Sequence, residues 1–190
     1  KKEYDKADTL YKNIFIKSEI NNYKLLSGHI AIDIGNLYYF LDDAAQAESW
    51  YKKALRIYRQ QRNKNGEILA ESNLTEISKI KGHWQEAENY LRSILDYDKK
   101  KNKIDSLAVD YYNIAHLEYL RHNYTKALEV LETAVSLFEK KENLAGRIES
   151  AFLKLNIAVL KDRGQTGTDI LEKHKRILGS DEKTHLTLMQ

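Results

Sequence analysis

The feature that most constrains this chain is a similarity that recurs every forty residues. Ala47, Ala87 and Ala127 are separated by forty residues, and each stands near the start of a segment whose apolar residues are three or four positions apart. That spacing is typical of the buried face of an α-helix, and repetition at a fixed interval of this order is typical of stacked helical units. The sequence therefore predicts an array of similar helices.

Three segments superpose when each is shifted by forty residues, and the N-terminus carries half of the same unit. Each segment is predicted to form two helices joined by a tight turn, at 42–43, 82–83 and 122–123, where Asp, Asn, Gly and His occur. The aligned positions are Ala31, Ile34, Gly35, Tyr38, Ala47, Tyr51, Ala54 and Leu55; Glu71, Leu74, Thr75, Ser78, Ala87, Leu91, Ile94 and Leu95; Tyr111, Ile114, Ala115, Glu118, Ala127, Leu131, Ala134 and Val135; and, in the half unit, Tyr4, Ala7, Tyr11 and Ile14.

The three alanines are interpreted as packing residues that contact no ligand. A methyl group allows two helices to approach closely where they cross, and a large residue one turn later fills the space beside the crossing. Tyr51, Leu91 and Leu131 have that position.

The pattern resembles the tetratricopeptide repeat (TPR), a helix pair with an aliphatic-small-x-x-aromatic motif followed by Ala-x-x-x-aromatic-x-x-Ala. The copies "IGNLYYFLDDAAQAESWYKKAL" (34–55), "LTEISKIKGHWQEAENYLRSIL" (74–95) and "IAHLEYLRHNYTKALEVLETAV" (114–135) carry the resemblance. It implies an all-α fold, a TPR-like right-handed α-solenoid of antiparallel helix pairs. The unit is longer than the usual length of about 34 residues, and it resembles the long form found in bacterial signalling proteins.

Two other departures from the family pattern affect the connections and one core position. Proline is absent from the chain, so the connections between units are expected to use Asn and Gly, in "RNKNG" (62–66), "KKNKID" (100–105) and "KKENLAG" (140–146). Ser78 and Glu118 occupy the position that Tyr38 has in the first unit.

The predicted organisation is one solenoid over 1–190, expected to be an excerpt of a longer protein. Its last parts are the weakest copies: a helix over 148–164 with Phe152, Leu155 and Val159 as apolar positions, and a second helix over 170–179. The predicted units are a half repeat at 1–22, repeats at 23–63, 64–103 and 104–143, a degenerate repeat at 144–179, and the start of a further helix at 180–190.

By resemblance, the first helix of each pair lines a concave groove that binds a peptide or protein. Asn36 matches a groove asparagine with which many peptide-binding members hold a ligand backbone or carboxylate. The alternative is that these positions are polar side chains in contact with solvent only. The candidate groove residues are His29, Asp33, Asn36 and Tyr39; Ser72, Asn73, Glu76 and Lys79; and Tyr112, Asn113, His116 and Tyr119.

The sequence offers no motif for chemistry. Cysteine is absent, none of the six histidines has the spacing of a metal-binding motif, and there is no glycine-rich phosphate loop. We therefore expect no catalytic residue, no bound metal and no cofactor. The net charge of +3 comes from interspersed charges, and the basic run at 99–103 is interpreted as a solvated helix end, so contacts with nucleic acid or membrane are not expected from this region.

The leading hypothesis is a non-enzymatic, protein- or peptide-binding scaffold that serves as the sensory or docking region of a bacterial regulatory protein. One alternative is a structural solenoid that self-associates, with a homodimer formed through its exposed ends. Another is an accessory domain of a sensor kinase or a Rap-type phosphatase regulator whose active part lies outside this chain. The compartment stays open, with the cytoplasm slightly favoured over an extracytoplasmic sensor region.

Overall fold

The structure, a computed structural model, describes residues 2–161, which form eight α-helices and no strand. The predicted helix over 170–179 and the predicted helix start at 180–190 lie outside the described residues. The helices are α1 (Lys2–Ile20), α2 (Lys24–Phe40), α3 (Ala44–Gln60), α4 (Lys64–Ile80), α5 (Trp84–Lys100), α6 (Ile104–Leu120), α7 (Tyr124–Lys140) and α8 (Leu144–Lys161).

Each connection between helices has three residues, and its middle residue has a left-handed backbone. In the connection after α2, the Asp43 N–H donates to the Tyr38 carbonyl at 2.9 Å and the Asp42 N–H donates to the Tyr39 carbonyl at 3.1 Å. These two bonds form a Schellman motif, which ends a helix by satisfying its last carbonyls. The middle residues are Asn22, Asp42, Arg62, Gly82, Asn102, His122 and Glu142.

In several connections, the side chain of the third residue caps the helix that follows. Asn63 Oδ1 accepts the Gly66 N–H at 3.1 Å, and Asn143 Oδ1 accepts the Gly146 N–H at 3.0 Å, which are N-cap hydrogen bonds. The expected connections at 62–66 and 140–146 are therefore shorter than the sequence suggested. Asn63 and Asn143 are caps, and the glycines of these stretches lie inside α4 and α8.

The chain divides into two compact units, residues 1–94 and 95–190, and the boundary falls within α5. In the first unit, α2 packs against α1, α3 and α4, and α3 also packs against α4. Ala47 and Ala87 are 0% exposed, as predicted for residues at helix crossings. The core of this unit comprises Ala31, Ile32, Ala47, Tyr51, Ala54, Leu55, Tyr58, Ala70, Leu74 and Ile77.

In the second unit, α7 packs against α6 and α8, and α6 also packs against α8. Ala127 is 0% exposed and belongs to the core of this unit, as predicted. The core comprises Ala108, Ala115, Ala127, Leu131, Ala134, Phe138, Leu153 and Ile157.

The buried face of α8 differs from the expected one. Phe152 and Val159 are 55% and 47% exposed, whereas Leu153 and Ile157 are buried. The reason is the contact of Gly146 with the Phe138 ring, where an added Cβ would lie 2.4 Å from two ring carbons. Gly146, Leu153 and Ile157 are seven and four positions apart, so they share one helix face.

Candidate functional site

The first candidate surface is the face of α2 that carries His29, Asp33, Asn36 and Tyr39. All four side chains are exposed, and their spacing of three or four residues places them on one side of the helix. The structure therefore brings together the predicted groove residues of the first repeat, and we call them the α2 face.

A buried tyrosine of α3 orients Asn36. The Tyr51 ring crosses α2 at Gly35, where an added Cβ would lie 2.4 Å from a ring carbon. Its hydroxyl then donates a hydrogen bond to Asn36 Oδ1 at 2.8 Å. Burial raises the pKa of Tyr51 to about 12, so the hydroxyl stays protonated and remains a donor. With its oxygen engaged, the Asn36 amide keeps its nitrogen, a double donor, for a ligand.

A second tyrosine of α3 reaches α2 two helical turns earlier. Tyr58 is 0% exposed, and the close approach of its ring to Gly28 and Gly66 leaves no room for a Cβ at either glycine. Its hydroxyl has no hydrogen-bond partner within the described part of the chain. The Tyr58 and His29 ring centroids are 5.8 Å apart. Burial raises the pKa of Asp33, an effect that the charge of nearby His29 opposes.

The predicted groove residues of α4 are less exposed. Ser72, Asn73 and Glu76 are half-buried, and the Ser72 hydroxyl donates to the carbonyl of Ile68 at 2.9 Å. Lys79 is 7% exposed, and its Nζ lies 2.6 Å from Glu76 Oε1. These side chains are largely engaged by their own helix, so α4 presents fewer free polar groups than α2.

The second candidate surface is a row of rings on α6, in the second unit. The Tyr112 and His116 centroids are 6.3 Å apart with planes at 26°, and those of His116 and Tyr119 are 6.1 Å apart at 18°. The row continues through Tyr124 of α7, 6.1 Å from Tyr119. We call these four residues the α6 ring row. Asn113 beside them is half-buried.

The sequence analysis missed one residue of these surfaces, Tyr124, and one exposed asparagine outside them, Asn156. Tyr124 lies at the start of the next helix, and only the fold places its ring against Tyr119. Asn156 of α8 is exposed at three forty-residue steps from Asn36. The forty-residue offset could have identified Asn156, whereas nothing in the sequence marks Tyr124.

The position that Tyr38 has in the first repeat carries a polar side chain in all three repeats. This side chain hydrogen-bonds to residues outside its own helix. Tyr38 accepts a hydrogen bond from Lys12 of α1 at 2.8 Å. Glu118, the equivalent residue of α6, is 2% exposed, and it accepts hydrogen bonds from Lys126 at 2.5 Å and from Asn123 at 2.8 Å. Burial alone would raise the pKa of Glu118, but these hydrogen bonds lower it.

Two buried carboxyl groups were also missed. Asp98 of α5 and Asp110 of α6 are 3% and 5% exposed. Lys103 Nζ lies 3.3 Å from Asp98 Oδ1, an ion pair without hydrogen-bond geometry, and Asp110 Oδ2 has no hydrogen-bond partner among residues 2–161. Burial and then the charge of Asp98 raise the pKa of Asp110 to about 7. At forty-residue offsets, Tyr58 and Phe138 fill the position of Asp98.

The described residues include no group of three or more His, Cys, Asp or Glu side chains that could hold a metal ion. Within the same residues, no helix is both long enough and apolar enough to cross a membrane.

Helix pairs joined by short turns, with a fully buried alanine near the start of the second helix of each pair, define a TPR-like helical-repeat protein. Residues 26–100 match the family model of the tetratricopeptide repeat. The recognition made from the sequence motifs and the all-α, TPR-like fold class are thereby confirmed.

Solved structures share this fold at low sequence identity. The apo form of RapI is 17% identical, with a TM-score of 0.78 over 96% of this chain and 51% of its own. BtubC from P. vanneervenii is 18% identical, with a TM-score of 0.79 over 92% of this chain and 73% of its own. A Rap protein complexed with competence and sporulation factor is 18% identical, with a TM-score of 0.72 over 92% of this chain and 49% of its own.

The chain thus spans about half the length of the two Rap proteins that it resembles. No curated protein matches the sequence. At these identities, the structural matches establish the fold alone.

Proposed function

We propose that this chain is a docking module of a bacterial regulatory protein, and that it binds extended segments of a protein or peptide. The α2 face of the first unit and the α6 ring row of the second are two separate candidate surfaces for such segments. The observation that carries this proposal is the orientation of Asn36 by Tyr51, because a preorganised amide donor loses little freedom when it binds a peptide carbonyl.

The chemistry of the two surfaces suits a peptide. On the α2 face, the Asn36 amide can donate to a carbonyl, and the exposed carboxylate of Asp33 can accept from an N–H. On α6, half-buried rings offer rigid apolar area for side chains, and aromatic residues are enriched where binding energy is concentrated. A Rap protein that shares this fold has been solved in complex with competence and sporulation factor, which supports the proposal.

The test uses peptides selected from a phage-displayed random library against the whole chain. A triple variant with alanine at Asn36, Asn73 and Asn113 is expected to bind a selected peptide more weakly by about 1–3 kcal/mol, as measured by fluorescence anisotropy. Its thermal melt should stay unchanged. The matched control replaces three asparagines that are not candidate groove residues, Asn13, Asn65 and Asn89, and is expected to retain full affinity. Equal affinity in the two triple variants would refute the assignment of the candidate groove residues.

Self-association is a second candidate, supported by one observation on α1. Ile14 is 38% exposed, whereas Ala54 and Ala134, its forty-residue equivalents, are 0% exposed. A second copy could cover this position. Sedimentation at increasing concentration tests the idea, and a monomer at all concentrations would exclude it.

A further inference from the structure

A cavity of about 420 Å³ opens between α3 and α5 within the first unit. None of its lining residues belongs to the α2 face, so it is separate from the proposed peptide surface. The lining residues are Lys52, Leu55, Arg56, Arg59, Gln60 and Tyr90.

The lining carries three cations and no carboxylate. Lys52, Arg56 and Arg59 follow one another by four and three residues, so they project from one side of α3. Lys52 Nζ lies 2.6 Å from Glu48 Oε1 and 3.3 Å from Glu86 Oε1. Arg59 Nη2 lies 3.2 Å from Glu71 Oε1. Arg56 has no carboxylate partner in the part of the chain that the structure describes. The cavity therefore has one uncompensated guanidinium between two further cations.

The floor and one wall of the cavity are apolar. Leu55 is 5% exposed, and the Tyr90 ring is half-buried. The Tyr90 hydroxyl donates to Glu86 Oε1 at 3.2 Å, and burial raises the pKa of Tyr90 to about 12, so the phenol stays neutral. A ligand with an apolar body and an anionic end matches this distribution.

The packing of the repeat does not require a cation at the position of Arg56. Eighty residues later, α7 has Ser136 there, and its helix has the same length and the same connections as α3. Lys52 and Arg59 balance carboxylates of the fold, whereas the charge of Arg56 has no such role and needs another explanation than folding.

We propose that this cavity binds a phosphate monoester carried on an aromatic or apolar stem. A phosphate monoester has a charge near −2 and three acceptor oxygens. It therefore matches a site of two guanidinium groups and one ammonium group better than a ligand with a carboxylate end does. The Arg56 guanidinium contacts the phosphoryl oxygens, and Tyr90 and Leu55 contact the stem. The ligand is either a free small molecule or a phosphorylated aromatic side chain of another protein.

Isothermal titration of the whole chain with phenyl phosphate tests the proposal. Binding is expected to saturate at one site, to be at least fivefold tighter than that of inorganic phosphate or benzoate, and to weaken as salt increases. A phosphotyrosine heptapeptide distinguishes the two sources: tighter binding than phenyl phosphate indicates a protein ligand, and equal or weaker binding indicates a small molecule.

Variants locate the site. Arg56→Gln is expected to weaken the binding of phenyl phosphate at least fivefold. Tyr90→Phe keeps the ring and is expected to change the affinity for phenyl phosphate less than twofold. The matched control is Arg92→Gln, an exposed arginine of α5 that pairs with Glu88 outside the cavity. Absence of saturable binding, equal losses in the two arginine variants, or equal affinity for inorganic phosphate would overturn the proposal. Unchanged melts of Arg56→Gln and Arg92→Gln exclude unfolding as the cause.

Discussion

Replacement of Asp110 by asparagine is expected to stabilise the protein above neutral pH and to leave its stability unchanged in acid. Asp110 is 5% exposed, and the charged groups that act on it are Asp98 of α5 and Lys103 of the α5–α6 connection. Burial and the Asp98 charge raise the pKa of Asp110 from 3.8 to about 7 in the folded state. Asparagine has the same shape and stays neutral at every pH.

The sign and size of the effect follow from proton linkage. Below about pH 3, Asp110 is mostly protonated in both the folded and the unfolded state, so it leaves the free energy of unfolding nearly unchanged. Between pH 4 and 7 the unfolded chain loses this proton and the folded chain keeps it, so stability falls as pH rises. A shift of about three pKa units, at about 1.4 kcal/mol per unit, makes the full loss about 4 kcal/mol above pH 7.

Urea denaturation followed by circular dichroism between pH 4.5 and 8.5 measures this loss. Both tryptophans, Trp50 and Trp84, lie in the first unit, so their fluorescence would not report on Asp110. The difference in free energy of unfolding between Asp110→Asn and wild type should grow from about 1 kcal/mol at pH 4.5 to about 4 kcal/mol at pH 8.5. The control Asp96→Asn changes an exposed aspartate of α5 and should show no such growth. A difference that is constant with pH would refute the reasoning.

Two further substitutions test the packing and the turns. Ala87→Leu adds three carbons at a residue that is 0% exposed, and the overpacking should cost about 1–3 kcal/mol in a thermal melt, whereas leucine at exposed Asn89 should cost far less. Glu142 has a left-handed backbone with φ of 53°, which strains a residue with a side chain, so Glu142→Gly should stabilise the protein by about 0.5–1 kcal/mol. The control Glu139→Gly, in the last turn of α7, should destabilise the protein by about the same amount. An unchanged melt for Ala87→Leu, or a loss of stability for Glu142→Gly, would contradict the alignment or the turn geometry.

The fold could be predicted from the sequence where a residue type strongly favours one structural role. Alanines at a constant interval require close helix crossings, and Asp42, Gly82 and His122 suit turns, so the repeat could be deduced from them. The connections at Arg62 and Glu142 could not be located as closely, because neither residue type favours a left-handed backbone. Their conformation follows from the Schellman hydrogen bonds that end α3 and α7.

The candidate surfaces were predictable only as helix faces. The spacing of His29, Asp33 and Asn36 predicted that they share a side of α2, and the structure places them so. The hydrogen bond from Tyr51 to Asn36 could not be predicted, because it depends on a ring crossing Gly35 from another helix. Asp98 and Asp110 were missed for a related reason: polar residues in an amphipathic pattern are expected to face solvent.

The buried acids show how the repeats use one backbone position for different chemistry. Tyr58 and Phe138 pack their rings against Gly66 and Gly146 of the following helix, and Asp98 has the same position in the repeat between them. Equal helix lengths and identical turns keep the backbone in place, so the side chain there can change without loss of the fold. A ring at this position stabilises by apolar contact at any pH, whereas a buried carboxyl group stabilises only while its proton or its counter-ion is present. For this reason, the loss of stability as pH rises from about 4 to 7 should begin in the second unit.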